Sequence, residues 1–374
     1  MLKEIEMSYR KYILKINLIG KIMKKFFKNK KVLITGNTGF KGSWLSLWMN
    51  LYGAKVLGIS SNIPSKPSNF NVLNLKQEIK QKKIDLRNSK ILNREINNFK
   101  PDYIFHLAAE AIVKKAYKNP KLAWETNTLG TVNLLESIGQ LKKKIIVVII
   151  TSDKVYKNLE ILRGYHENDT LGGFDPYSAS KASADLAVQS YYFSKLKYKK
   201  NIRLSIARAG NVIGGGDWSE GRLIPDCVKK WSLNKTVQIR NPNSTRPWQH
   251  VLDVLNGYIT LATQLNKKNS INGEAFNFGP KNEKNREVYK IVKEMSKRWV
   301  GSSWKINKDT KFIESNLLKL NSSKAKRLLN WECKLNLKKA ILHTAEWYKT
   351  FYFNRKNIKN ISTKQIVEFE KIRR

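Results

Sequence analysis

The chain has 374 residues, room for one large core or two modest ones, and its 41% hydrophobic and 10% aromatic content excludes a fibre or a disordered tail. Its net charge of +42 comes from 71 Lys and Arg against 29 Asp and Glu; the excess is mostly lysine spread along the whole length, which argues against a groove-tracking nucleic-acid patch and leaves a surface attractive to small anions. The two cysteines, Cys227 and Cys333, match no disulfide framework or zinc spacing, and no apolar run approaches the roughly eighteen residues of a membrane span, so a reducing cytoplasm is the expected setting.

Residues 1–29 read as a basic extension, expected to be disordered, without the cleavage site of a signal peptide; Met23 is an alternative start. From Lys30 short apolar runs alternate with longer amphipathic segments. "KKVLITG" is a buried strand, "GSWLSLWMNLYG" a helix ending at Gly53, "AKVLGIS" a second strand, "KKIDL" a short third and "DYIFHLA" a fourth. The helix "NTLGTVNLLESIGQL" then precedes the strand "KKIIVVIITS", and the long helix "SASKASADLAVQSYYFSKL" precedes "NIRLSIARAG". This alternation predicts an α/β fold, a Rossmann-type doubly wound parallel sheet over residues 30–210, with a return segment at about 248–279. After Gly210, loops such as "NVIGGGDW" and "RNPNSTRPW" break the rhythm. Residues 211–247 and 280–360 are expected to form a smaller, mostly helical substrate domain, and 361–374 a tail.

"TGNTGFKG" joins the first strand to the first helix and carries Gly36, Gly39 and Gly42, a G-x-x-G-x-x-G dinucleotide fingerprint. Gly36 permits the turn, Gly39 lets backbone approach a pyrophosphate, and Gly42 lets helix pack on strand. The helix N-terminus supplies amide donors to the phosphates. The end of strand two, where an acid usually grips the ribose, has Ser60 and Ser61, with Lys66 nearby. NAD is the expected cofactor, with NADP left open. Asp85 is placed to bond an adenine amino group, or is simply a loop acid.

Tyr177 and Lys181 in "DPYSASK" form a Tyr-x-x-x-Lys pair, in which an ammonium one turn away lowers the phenol's pKa and readies it as a base. Five such pairs start at Tyr117, Tyr177, Tyr191, Tyr289 and Tyr352, and only Tyr177 opens the helix after strand five. At the end of that strand "TSDK" sets Ser152, Asp153 and Lys154 together, either a solvated strand end or a positioned acid and base. His106 and His250 lack clustered partners, so no metal site is expected. Trp218 and Trp248 are candidates for stacking or for packing.

The fingerprint, "TSDK" and "YSASK" together resemble the extended short-chain dehydrogenase/reductase family. "GNTGFKGSWLSLW", "HLAAEAIVKKAYKNP", "GYHENDTLGGFDPYSASK", "ARAGNVIGGGDW", "NPNSTRPWQHV" and "LKLNSSKAKRLLNW" narrow the likeness to its CDP-glucose 4,6-dehydratase branch. The resemblance covers nearly all of the chain after Lys30. It implies NAD contacts at Thr38, Phe40, Leu86, Leu107, Ala108 and Ala109 beside the fingerprint glycines, Ser60, Asp85, Tyr177 and Lys181. It gives Ser152 the 4-oxygen of the sugar beside Tyr177, Asp153 the acid's part toward the 6-hydroxyl and Lys154 the base's part at C5. Asn211 and Arg246 are expected at the diphosphate of a nucleotide-sugar, and Arg222 and Arg240 at phosphate or base. Asn127 is expected to hold backbone between the active-site helices, and Glu110 replaces a glutamine frequent in this branch. The implied activity is a redox-neutral lyase reaction in a homodimer or tetramer built on a helix pair. Rivals are a dehydratase for another nucleotide, a 4-epimerase of the same fold, or a basic NAD-binding adaptor without catalysis.

Overall fold

In the computed structural model, residues 23–239, 241–280, 286–306, 317–354 and 357–372 are described. Six strands, β1 (Lys31–Thr35), β2 (Lys55–Ser60), β3 (Lys80–Lys83), β4 (Tyr103–His106), β5 (Ile145–Ile150) and β6 (Ile202–Ala209), come first. Short strands β7 (Val212–Ile213), β8 (Val237–Ile239), β9 (Thr245–Arg246) and β10 (Gln249–His250) follow, then β11 (Ala275–Phe278). Seven of these form a parallel sheet in the order β11-β6-β5-β4-β1-β2-β3. The order reverses between β1 and β4, and a crevice opens there at the carboxyl ends of the strands. β5, "IIVVII", is buried at every position because helices cover both faces.

One face carries α2 (Ser89–Phe99), α3 (Gly130–Gly139) and α4 (Pro176–Ser194), whose apolar residues join Leu33, Ile104, Val147 and Leu204. The other carries α1 (Phe40–Leu51) and α5 (Val251–Lys267), and this core continues into α6 (Leu337–Phe353) and α7 (Ile358–Lys371). Trp218 packs edge-on against Trp347, Tyr348 and Phe351, so packing rather than stacking on a ligand accounts for it. Trp248 is half-buried against the same core.

Three boundaries differ from the sequence reading. Residues 1–22 lie outside the described residues, but 23–27 are helical and Phe27 is fully buried against Tyr103 and Phe105, so the body of the fold starts before residue 30. The expected tail from 361 belongs to α7, where Ile366 and Phe369 are buried and Trp48 donates to Glu370. The third strand is Lys80–Lys83 rather than 82–86: ladder bonds to β2 fix its register, and Ile84 and Leu86 pack into the core beyond its end. Its lysines also protect an open sheet edge. Before α3 the chain makes a π-helical turn over Glu125–Leu129.

Candidate active site

Gly36 has φ +73°, and a Cβ there would lie 2.7 Å from the Ala108 amide nitrogen; a Cβ on Gly42 would lie 2.1 Å from the Gly36 carbonyl oxygen. Helix α1 therefore closes on β1 and β4 as the fingerprint requires. Gly39 is its N-cap and supplies no side-chain cap, and a Cβ there would meet only the Gly36 oxygen, at 3.3 Å. Uncapped amides under open space make a cradle for a pyrophosphate. The residues present thus fit a dinucleotide.

On the adenosine side the Ser60 hydroxyl donates to Asn37 Oδ1 at 2.8 Å and accepts the Thr38 amide at 3.3 Å, so it shapes the turn. The Thr38 hydroxyl donates to the Asn62 carbonyl at 2.6 Å. Arg87 holds both Asp85 oxygens, at 3.1 and 2.8 Å, and bridges to Glu125. Any adenine bond to Asp85 shares its carboxylate with that guanidinium, which also keeps it below the usual carboxylate range. Leu86 is buried; Leu107, Ala108 and Ala109 line the end of β4.

Asp175 caps α4, accepting from the amides of Tyr177 and Ser178 at 3.0 Å each, and so fixes where the helix starts and where Tyr177 stands. Lys181, one turn on, is buried and donates to the Ile150 carbonyl at 3.0 Å. Burial, and then the nearby charge of Lys41, bring its pKa down to about 7. Burial raises that of Tyr177, and the Ser152 hydroxyl pulls it back.

At the end of β5, Ser152 caps a short turn over Asp153–Val155 and accepts the Lys154 amide at 3.2 Å. The Asp153 carboxylate is 2% exposed. Its Oδ1 accepts from Ser152 Oγ at 3.0 Å and lies 3.7 Å from Lys154 Nζ, while its buried Oδ2 has no hydrogen-bond partner. That oxygen sits 3.1 Å from where a Gly210 Cβ would stand, so any larger residue at 210 crowds the acid. The Lys154 side chain is 32% exposed.

Asn127, brought inward by the π turn, accepts the Glu110 amide at 2.8 Å and donates to the Glu110 carbonyl and Ser180 Oγ. It ties the end of β4 to α4, as expected. His106 spans Thr35 and Thr131 at 2.8 and 3.1 Å; burial takes its pKa to about 3, so it is a neutral core histidine. His250 is buried likewise. Among the described residues no cluster of His, Cys, Asp and Glu could hold a metal.

Arg222 reaches the site: its guanidinium donates to Asp217 Oδ2 at 2.8 Å and interacts electrostatically with Tyr177 and Lys41. Asn211 is joined through its backbone carbonyl to the Gln249 amide, at 3.1 Å. Arg246 lies in β9 and its Nη1 donates to the Thr245 carbonyl; Arg240 lies outside the described residues.

Sequence reasoning missed Lys41. Its Nζ lies 3.5 Å from Tyr258 Oη. Burial, and next the charge of Arg222, lower its pKa to about 8, while Asp153 and Asp217 pull it upward. A lysine in the first turn of a helix opposes the helix dipole, and "GFKG" carries that conflict in the sequence. The site thus gathers Lys41, Lys154, Lys181 and Arg222 around the carboxylates Asp153 and Asp217. The cationic surplus suits a ligand rich in phosphate.

Residues 33–344 match the family model described as GDP-mannose 4,6 dehydratase. The CDP-glucose 4,6-dehydratase of Salmonella typhimurium is 41% identical over 335 residues, covering 88% of this chain and 93% of that protein. The CDP-paratose 2-epimerase of Salmonella typhi is 28% identical over 276 residues, 67% and 78% of the two chains. Among solved structures, dTDP-glucose 4,6-dehydratase from Bacillus anthracis in complex with NAD superposes with a TM-score of 0.70 at 24% identity, over 89% of this chain and 99% of that one.

Proposed function

The chain belongs to the GDP-mannose 4,6 dehydratase family, within the extended short-chain dehydrogenases/reductases, and on that premise we propose that it is an NAD-dependent lyase converting CDP-glucose to CDP-4-dehydro-6-deoxy-glucose. The observation that carries the reading is the Asp153–Lys154 pair beside Tyr177 and Lys181. An epimerase needs only the second pair. A dehydratase needs a further acid and base.

NAD, held by the cradle at Gly36, Gly39 and Gly42, supplies a reversible two-electron acceptor when bound. Tyr177 takes the proton of the sugar's 4-hydroxyl as C4 becomes a ketone, with Lys181 supplying positive charge one turn below and Ser152 a hydroxyl at the same oxygen. The ketone acidifies C5–H. A proton passing from Lys154 to Asp153 within the ion pair makes a neutral amine and a carboxylic acid together, with no change in net charge. The amine then removes the C5 proton, and Asp153 Oδ2 protonates the departing 6-hydroxyl. Water leaves, giving a C5=C6 bond; the two electrons taken from C4 would be returned at C6 by the bound cofactor and the proton at C5 by the Lys154 ammonium, which regains a proton from Tyr177 through solvent. Lys41, Arg222, Asn211 and Arg246 are the residues we assign to phosphate, Arg222 held as a rigid fork by Asp217.

We place the enzyme in the cytoplasm; among the described residues no helix is long and apolar enough to cross a membrane. Exposed Tyr117, Trp124, Leu129, Leu186 and Phe193 give the segment before α3 and helix α4 an apolar outer face suited to a second copy of the chain. The test is incubation with CDP-glucose and NAD, followed by the alkali-induced absorbance of a 4-keto sugar. A ketone from another nucleotide's glucose would move the reading to that substrate, an epimerised sugar to an epimerase. No ketone from any nucleotide-glucose would sink it.

A further inference from the structure

Tyr156 follows the Asp153–Val155 turn directly and is 1% exposed. Its hydroxyl donates to Asn277 Oδ1 on β11 at 2.7 Å and accepts from Arg208 Nη1 on β6 at 2.9 Å. Its ring stacks on Tyr165 with centroids 4.9 Å apart. Arg208, itself buried, makes a two-point bridge to Asp185, at 2.8 and 2.7 Å. Asp185 lies on α4, one turn beyond Lys181 and two beyond Tyr177, and its Oδ2 also accepts from Thr151 Oγ1 at 3.0 Å. Thr151 follows the last residue of β5 and precedes Ser152, the cap of the turn. Both flanks of the turn, Thr151 on one side and Tyr156 on the other, therefore converge on one buried Arg208–Asp185 pair anchored in the helix of Tyr177 and Lys181.

A buried ion pair of this kind contributes little net stability, because desolvation offsets its attraction; its best-attested use is to fix register. None of Tyr156, Thr151, Arg208 or Asp185 takes a part in the proton transfers set out above. We propose that Tyr156, with Thr151, is a positioning residue for the elimination step: through Arg208 and Asp185 it holds the Asp153–Lys154 turn at a fixed place relative to Tyr177 and Lys181. The inference rests on the dehydratase reading, since an enzyme without elimination has no need of the tether.

The test uses the full-length protein with NAD and CDP-glucose. Tyr156→Phe keeps the stacked ring and removes the hydroxyl; Thr151→Val removes the other tether with little change of shape. In each, steady-state kcat falls about ten-fold, the loss expected from one hydrogen bond to a charged group, while KM holds. In a single turnover elimination slows several-fold more than the first oxidation, in which Ser152 of the same stretch also acts, so reduced cofactor accumulates on the enzyme. A general structural defect would slow both steps together or raise KM, and either result overturns the inference. Failure of wild-type protein to form any ketone counts against the dehydratase reading instead. Amide exchange of residues 151–156 then decides the tether itself: about ten-fold faster in both variants, with α4 unchanged, supports it, and unchanged exchange refutes it.

Discussion

The helix half of the site and the turn half prepare their side chains in opposite ways. On α4, Tyr177 and Lys181 are tuned chiefly by loss of water: burial lowers the ammonium toward neutrality and raises the phenol, against which the Ser152 hydroxyl pulls. On the turn, Asp153 and Lys154 stand 3.7 Å apart with the lysine still a third exposed, and in the proposed reaction each would take its working form from the other. The contrast follows from the chemistry. Oxidising a hydroxyl needs one base, and the Ser152 hydroxyl and the Arg222 charge offset part of what burial does to it. Elimination needs an acid and a base at the same moment, and a neighbouring pair makes both by an internal proton shift.

The largest test of that contrast removes the helix half. Tyr177→Phe is expected to lower kcat about a thousand-fold, within the range for losing a positioned base, with no reduced cofactor formed on mixing with substrate. Breaking the turn half gives a smaller and different loss. Lys154→Ala lowers turnover about a hundred-fold but leaves the first oxidation intact, so reduced cofactor stays bound; ordinary turnover in this variant would refute the lysine's role. Stability against pH reads the smallest effect. Lys181 and Lys41 have folded pKa values of about 7 and about 8, below the ordinary lysine value. Above pH 7 the unfolded chain therefore binds more protons than the native one, and stability rises with pH until the unfolded lysines also titrate. The melting temperature of cofactor-free protein should climb by a few degrees between about pH 7 and 9, and Lys181→Met should flatten the climb. A fall over this window would contradict the burial of both amines.

The fingerprint, the Tyr177–Lys181 spacing and the "TSDK" turn were legible in the sequence because each depends on residues a few positions apart. β3 was misplaced because an edge strand needs no apolar pattern: backbone pairing to β2 fixed it on "KQKK" while the apolar "IDL" packed beyond. That Ser60 also braces the fingerprint turn through Asn37 and Thr38 was not legible, because those partners lie more than twenty residues before it. Phe27 was given to a disordered extension and most of α7 to a tail because their burial depends on aromatic partners far along the chain, Tyr103 for one and Trp48 for the other. The tether between Tyr156, Arg208 and Asp185 joins positions up to 52 residues apart, and no local pattern announces it.

The π turn at Glu125–Leu129 has a consequence for how this chain tolerates changes of length. Such a turn carries one residue more than an α-helical path requires. Deleting a single residue there would let the segment run on as regular helix with its flanks nearly in place, and the local widening that turns Asn127 inward would be lost. Asn127 would swing off its bonds to Glu110 and Ser180, although no side chain of the reaction centre had been altered. The surplus residue acts as a spacer whose count matters more than its identity.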